Sequence, residues 1–219
     1  MIEKPNLTEK EIVANYQEFL VFITSTFTGE RQEKLLHMYS EKELGQELAV
    51  APASMNEQWH NAFPGGYILH IMNVVKTSFG VKKLYETMGG IIDFTQEEQI
   101  FSALHHDLGK LGGPDGSYYV PQTNDWKEKQ GELYQMNPNI QYMPVTDRAL
   151  YNLQYYGIKT TWKEAISIKL SDGMYDESNK KYLVQFKPEM FLKSCLPRII
   201  HISDYMSSCF ERDKLKDSN

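Results

Sequence analysis

Apolar residues recur at the spacing of one helical face through most of this chain. Between Thr8 and Phe27 they form a single stripe, made of Ile12, Val13, Tyr16, Phe19, Leu20 and Ile23. Thr8 and Glu11 match the capping-box pattern that opens a helix, and Ser40 offers an N-cap for a later one. Further helices are predicted over 31–39, 40–50, 67–88, 95–108, 147–156 and 162–170, with a last one from about 188 or 197 to about 212. The sequence therefore predicts an all-α fold.

Two stretches interrupt the helical pattern. The glycine-rich run 112–116 is typical of a turn, and the segments 117–120 and 132–136 after it are short, aromatic and compatible with β-strands. A second polar stretch, 171–187, precedes the last helix. We therefore expect a bundle of helices with one or two short excursions, each a hairpin or a loop.

The domain organisation follows from length and from the lack of any repeat or linker-like segment. A chain of 219 residues is long enough to bury a single sizeable core. We predict one helical domain over 51–212, an N-terminal helical segment over 1–50 packed on it, and a frayed tail over 213–219.

Charge and cysteine usage narrow the functional classes. The net charge of −6 argues against a large basic surface for nucleic acid, and every apolar stretch is broken well short of a membrane span. The polar start carries no export signal. Cys195 and Cys209 would lie roughly 21 Å apart on one helix, too far for a disulfide between them. We therefore expect a cytoplasmic protein without a membrane partner or a stable nucleic-acid partner.

Ionisable residues stand where three helices would otherwise carry apolar ones. His70 follows Tyr67 by three residues on the inward stripe, Asp107 lies beside His106 near the end of another helix, and Asp204 falls on the apolar face of the last. Burying such groups without a partner costs several kcal/mol, so they need either hydrogen-bonded pairing in the core or a cation. Two imidazoles and two carboxylates suit Mn²⁺, Fe²⁺, Co²⁺, Ni²⁺ or Zn²⁺.

Three motifs carry a resemblance to a known family. Residues 59–70, WHNAFPGGYILH, resemble the H-x-A-Y-x-G-G-L-x-x-H opening of many HD-domain proteins. Residues 103–110, ALHHDLGK, are similar to their L-L-H-D-L-G-K core, and residues 201–206, HISDYM, to their closing H-x-A-D-M helix. The similarity runs in order over 52–210, which is most of the chain.

The resemblance implies a helical bundle around a metal-dependent phosphohydrolase site. Its ligands would be His70, His106, Asp107 and Asp204. Family members with two metals have further histidines between the core motif and the last aspartate, whereas this chain has none between His106 and His201. We therefore expect one divalent ion, with Mn²⁺ first and Mg²⁺, Co²⁺, Ni²⁺, Fe²⁺ or Zn²⁺ as alternatives.

Several residues are predicted to act at that site. Asp107 would be catalytic as well as a ligand, and Lys110 would neutralise charge on the phosphate unless it only stabilises a helix C-terminus. His60, Arg148 and Asp172 would contact substrate. The alternatives are packing for His60, an ion pair for Arg148 and helix termination for Asp172.

Residues near the motifs carry weaker expectations. His105 would point about 100° away from His106 on a helix, beside the ligands or at the surface. His201 would orient Asp204 or simply pack. The aromatic residues of the first excursion would form either a flap over a base or a satellite core: Tyr118, Tyr119, Trp126 and Tyr134.

The expected activity is hydrolysis of a phosphate ester or anhydride in a small phosphorylated metabolite, with a nucleotide or deoxynucleotide foremost. The metal would acidify a water molecule whose hydroxide attacks the phosphorus. Two alternatives stay open: a phosphodiesterase of nucleic acid or cyclic nucleotides, and a nucleotide-binding regulator without turnover. A homodimer is the expected assembly.

Overall fold

The computed structural model describes residues 7–217, and side chains as far as Lys214. Within this range the α-helices are α1 Glu9–Thr26, α2 Gly29–Met38, α3 Gly45–Val50, α4 Gly66–Thr87, α5 Gln96–His105, α6 Asp125–Lys129, α7 Val145–Tyr155, α8 Trp162–Lys169, α9 Lys180–Leu183 and α10 Leu196–Asp217. Two short strands, β1 Tyr119–Pro121 and β2 Tyr134–Met136, form an antiparallel pair. The prediction of an all-α fold with a short hairpin excursion is confirmed.

Local sequence signals explain where three of the helices begin. The hydroxyl of Thr8 accepts a hydrogen bond from the backbone N–H of Glu11 at 3.3 Å, and the Glu11 carboxylate accepts one from the N–H of Thr8 at 2.7 Å. This reciprocal pair satisfies two donors that the helix itself cannot use. The same arrangement opens α5 and α8, through Thr95 with Glu98 and Thr161 with Glu164.

The prediction that Ser40 caps a helix over 40–50 is wrong. The chain makes a turn there, and α3 begins only at Gly45, without a side-chain cap. The Ser40 carbonyl accepts a hydrogen bond from the N–H of Gly45 at 2.8 Å. A Cβ atom at Gly45 would lie 2.6 Å from that carbonyl group, so only glycine permits this close approach.

Helices α4 and α10 form the centre of the bundle. They pack along each other, α5 and α8 pack against them, and α1 and α3 pack against α4. Phe19 and Ile23 of α1 belong to the same buried core as Ile71 of α4 and Ile200 of α10. Burial of such a side chain stabilises the fold by about 1.5–3 kcal/mol. The described part of the N-terminal segment therefore shares one core with the rest of the chain.

Two helix ends differ from their predicted positions. Helix α5 ends at His105 rather than at Leu108, and a tight 3-10 turn, Leu108–Leu111, follows it. Helix α10 continues to Asp217 rather than ending near Arg212. The predicted tail is therefore helical as far as residue 217, while residues 218–219 lie outside the described range.

The first excursion is a hairpin tied to the loop before α4. Tyr119 pairs with Met136 and Pro121 with Tyr134. The N–H of Leu133 donates to the carbonyl of Met55 at 2.9 Å, which fixes the hairpin to the 51–64 loop. The second excursion consists of short 3-10 turns and α9. In the described part of the chain, no helix has the length and apolar character that a membrane crossing requires.

Candidate metal centre

The four predicted ligands meet at the centre of the bundle. His70 comes from α4, His106 and Asp107 from the turn after α5, and Asp204 from α10. The side chains of His70 and His106 are fully buried, and that of Asp107 is nearly so. The Asp204 side chain is 21% exposed, so the cluster has one side open to solvent.

The side-chain atoms converge within a few ångströms. His70 Nε2 lies 3.1 Å from Asp204 Oδ1 and 3.6 Å from Asp107 Oδ2. His106 Nε2 lies 3.5 Å from each of the same two oxygens. One ligand atom each from His70, His106 and Asp204 fits within 4.8 Å of the others, which is an arrangement that could hold a metal ion.

Hydrogen bonds on the far side of each imidazole decide which nitrogen faces the cluster. His106 Nδ1 lies 2.8 Å from the carbonyl oxygen of Ala103, and His70 Nδ1 lies 2.9 Å from Glu211 Oε2. Both oxygens only accept, so both Nδ1 atoms carry the hydrogen. In the neutral rings each Nε2 then carries a lone pair. Among the described residues, neither Nε2 atom has a hydrogen-bond partner. Two lone pairs and two carboxylates that face one another fit a metal cation.

The electrostatics of the cluster lead to the same conclusion. Burial would lower the pKa of His70, but the carboxylates of Asp204 and Glu211 outweigh it and raise that pKa. Burial would raise the pKa of Asp204, yet His106 and His70 hold it well below its ordinary value. Without an ion, the positive charge of protonated imidazoles therefore compensates the negative charge of the carboxylates. A divalent cation would compete for the same positions.

Lys110 is part of the cluster. Its Nζ lies 2.6 Å from Asp107 Oδ2 and donates to the carbonyl of Ala53 at 2.8 Å. Burial would lower the pKa of Lys110, but Asp107 outweighs it and raises that pKa, so the amine is charged. Lys110 thus places a positive charge beside the cluster and ties the 51–64 loop to it. Its predicted contact with phosphate stays a prediction.

His60 lies directly beside His70, with 4.5 Å between the ring centroids. Its carbonyl accepts a hydrogen bond from Ser54 at 2.7 Å, and the next residue, Asn61, has a φ of 45°. Asparagine tolerates this left-handed conformation better than most residues. Burial, then His70 and Lys110, lower the pKa of His60 to about 2. The ring is therefore neutral, and its buried Nε2 has no hydrogen-bond partner in the described chain.

Asp172 interacts electrostatically with the cluster. Burial, followed by repulsion from Asp107, raises the pKa of its carboxyl to about 6. His201 was predicted to orient Asp204 or simply to pack, and it packs against the turn after α8, with its Nδ1 2.7 Å from the Ser171 carbonyl. A Cβ at Gly173 would lie 2.3 Å from the same imidazole, so the turn packs closely on His201. His201 therefore positions the turn that carries Asp172.

Arg148 does not face the cluster as a free cation. It is 1% exposed, and its Nη1 lies 2.7 Å from Asp115 Oδ1. Its Nη2 donates to the carbonyl of Gln141. The guanidinium therefore fixes the 112–116 turn to the loop before α7. This geometry favours the ion-pair alternative for Arg148, and its contact with substrate stays a prediction.

His105 is fully buried, so of its two predicted positions the one at the surface is wrong. Its Nδ1 lies 2.6 Å from the Phe101 carbonyl, and its ring stacks on Tyr39 at 6.1 Å between centroids. Its side chain therefore belongs to the buried interior of the bundle.

Tyr118, Tyr119 and Tyr134 form a group of neighbouring rings, and Lys110 acts electrostatically on the first two, whereas Trp126 does not join them. Burial raises the pKa of Tyr119, and Lys110 opposes this effect. The rings of Tyr119 and Tyr134 lie 6.2 Å apart, while Trp126 is 70% exposed. The tyrosines form a small aromatic cluster at the edge of the site, and whether it covers a base stays a prediction.

The sequence analysis missed Glu211. This buried residue of α10 accepts hydrogen bonds from His70 and, through Oε1, from Asn73 Nδ2 at 2.7 Å. Its signal was its position seven residues after Asp204, which places both on one face of a helix. The position lay inside the predicted last helix, but the spacing alone does not connect it with His70, which is 141 residues away.

The geometry can be compared with known proteins. A scan against protein-family models gave no match, and searches of the curated proteins and of the solved structures gave none either. The structure thus establishes a buried histidine and carboxylate cluster that could hold a metal ion.

Proposed function

We propose that this protein is a metal-dependent phosphohydrolase of the HD type. Its substrate would be a small phosphorylated metabolite, with nucleotides and deoxynucleotides foremost. The observation that carries the proposal is the cluster itself. The three sequence motifs that resemble HD proteins supply two imidazole lone pairs and two carboxylates. Each imidazole Nε2 lies 3.1–3.6 Å from one oxygen of Asp107 and one of Asp204.

The residues of the site have different roles in the proposed reaction. His70, His106, Asp107 and Asp204 would hold one divalent ion, with Mn²⁺ as the first to test. When bound, such an ion supplies a Lewis acid and acidifies a water molecule. The chain itself must bind the substrate, orient it and balance its charge.

Lys110 and His60 are suited to bind the phosphate. Lys110 carries a positive charge beside Asp107, and attraction between that charge and phosphate oxygens strengthens as negative charge develops. His60 is neutral, and its Nε2 is buried without a partner in the described residues, so it can make a hydrogen bond to substrate. Asp172, with its raised pKa, would be a proton-bearing or hydrogen-bonding group at the site.

The proposal includes the setting of the enzyme. We propose a cytoplasmic protein that acts as a homodimer and has neither a membrane partner nor a stable nucleic-acid partner. Both cysteines are free thiols, and the net charge of −6 disfavours a polyanionic partner.

The test is the release of phosphate and nucleoside from a panel of nucleoside mono- and triphosphates and short oligonucleotides. Assays contain Mn²⁺, Mg²⁺, Co²⁺ or EDTA and compare the wild type with Asp107→Ala. Release that requires the ion and falls by at least about 100-fold in the variant is expected. Glu33→Ala, a change at an exposed position on α2, should leave the rate unchanged.

The products decide between the proposal and its alternatives. Release from oligonucleotides alone would favour a phosphodiesterase. A metal-loaded protein that turns over nothing in the panel would contradict the hydrolase and leave a binding role.

A further inference from the structure

Glu211 is a buried carboxylate that the proposed reaction does not use. Its side chain is 2% exposed, and it lies on the side of His70 that faces away from the other ligands. Oε2 is 2.9 Å from His70 Nδ1, and Oε1 accepts a hydrogen bond from Asn73 Nδ2 at 2.7 Å. A buried carboxylate is costly unless it is hydrogen-bonded, and both oxygens of Glu211 are.

Asn73, Glu211 and the imidazole of His70 form a continuous series of hydrogen bonds. Asn73 lies three residues after His70 on α4, so its amide and the imidazole are on the same helical face. Asn73 holds one oxygen of Glu211 in place, and the other oxygen holds the ring of His70. The Nε2 of that ring is thereby turned towards Asp107 and Asp204.

We propose that Glu211 is a positioning residue for a divalent cation at this site. By accepting the Nδ1–H of His70, the carboxylate keeps Nε2 as the lone-pair nitrogen and makes it a stronger donor to a cation. His106 is held by a neutral backbone carbonyl instead, so Glu211 places an additional negative charge behind only one of the two imidazoles. The inference rests on the proposed function only in taking His70 as a ligand.

The experiment measures cation binding without turnover. Mn²⁺ is titrated by calorimetry into EDTA-treated wild type, Glu211→Gln, Glu211→Ala and Glu86→Ala. The alanine variant at Glu211 should bind Mn²⁺ about 10–100-fold more weakly. The glutamine variant should lose less, because its amide oxygen still accepts from Nδ1 but carries no charge. Glu86 is exposed on the same helix as His70, and its removal should change nothing.

A second readout reports the ring itself. Nitrogen chemical shifts of His70 in the Zn²⁺-loaded protein should show hydrogen on Nδ1 in the wild type. In Zn²⁺-loaded Glu211→Ala the ring should divide between the Nδ1–H and Nε2–H tautomers, because the acceptor that keeps the hydrogen on Nδ1 is gone. A merely structural role of Glu211 would not cause this mixture. If Glu211→Ala does not fold, Asn73→Ala removes only the bond that steadies the carboxylate, and a several-fold loss of Mn²⁺ affinity is expected.

The outcomes separate this inference from the proposed function. Wild-type affinity in Glu211→Ala, or in Asn73→Ala where the former does not fold, overturns the inference and leaves the hydrolase intact. Weakened Mn²⁺ binding in a protein that hydrolyses nothing supports the inference and contradicts the hydrolase. A wild-type protein that binds neither ion overturns the inference.

Discussion

The carboxyl group of Asp172 provides a test of the electrostatics of the site through pH. Burial and Asp107 raise its pKa from the ordinary 3.8 to about 6. Between these values the folded protein binds more protons than the unfolded chain, so this group makes stability fall as pH rises from about 4 to 6. Above that window the penalty is constant, at about 2–3 kcal/mol for a shift of this size.

Asp172→Asn removes the titration while it keeps the shape of the neutral acid. With EDTA present, the variant should gain about 2–3 kcal/mol relative to the wild type between pH 4 and pH 7. For a chain of this length that corresponds to roughly 4–12 °C in melting temperature. Urea unfolding at a series of pH values, followed by circular dichroism, measures the difference.

Asp176 supplies a control of opposite sign in the same excursion. Its carboxylate accepts from the N–H of Ser178 at 2.9 Å and lies 3.2 Å from Lys169, and these contacts outweigh burial and lower its pKa. Asp176→Asn should therefore lose stability relative to the wild type as pH rises through the range below 4. If the stability difference between Asp172→Asn and the wild type does not change with pH, the pKa of Asp172 is not raised in the folded protein.

Three further outcomes are expected. Lys110→Ala should lower turnover about 100-fold and leave Mn²⁺ content nearly unchanged; equal losses in kinetic and metal-content assays would refute its role at the phosphate. Arg31→Met should lower the free energy of unfolding, measured in urea, by about 3 kcal/mol, because it removes the guanidinium that lies 2.7 Å from the fully buried Glu164 carboxylate. The double variant with Glu164→Gln should recover much of that loss. Mn²⁺ at 100 times its dissociation constant should raise the free energy of unfolding by about 2.7 kcal/mol, seen as a higher melting temperature that EDTA reverses. An unchanged melting temperature would contradict Mn²⁺ binding to the folded protein.

Local signals in the sequence were sufficient to predict most helix starts. Together with the resemblance of three motifs, they predicted that His70, His106, Asp107 and Asp204 come together. Thr8 and Glu11 lie three residues apart, so their reciprocal hydrogen bonds require no information from the rest of the chain. The positions of His70 and Asp204 on apolar helical stripes likewise predict that both point inward, because the helical period alone sets their direction.

Contacts between distant residues could not be predicted in the same way. Helix α5 ends early at a turn where a Cβ on Gly109 would lie 2.1 Å from the Val145 carbonyl, a contact that only the packed fold reveals. Arg148 is bound by Asp115, which lies 33 residues away. Glu211 meets His70 across 141 residues, and no local pattern connects them.

We propose that His70, His106, Asp107 and Asp204 hold one divalent ion. Titration of Mn²⁺ into EDTA-treated protein, with the bound ion counted by calorimetry and elemental analysis, tests it most directly. We predict one ion per chain in the wild type and in His37→Ala, where the replaced histidine is exposed, and none in His106→Ala at the same concentrations. No bound ion in the wild type, or unchanged binding in His106→Ala, would contradict the account.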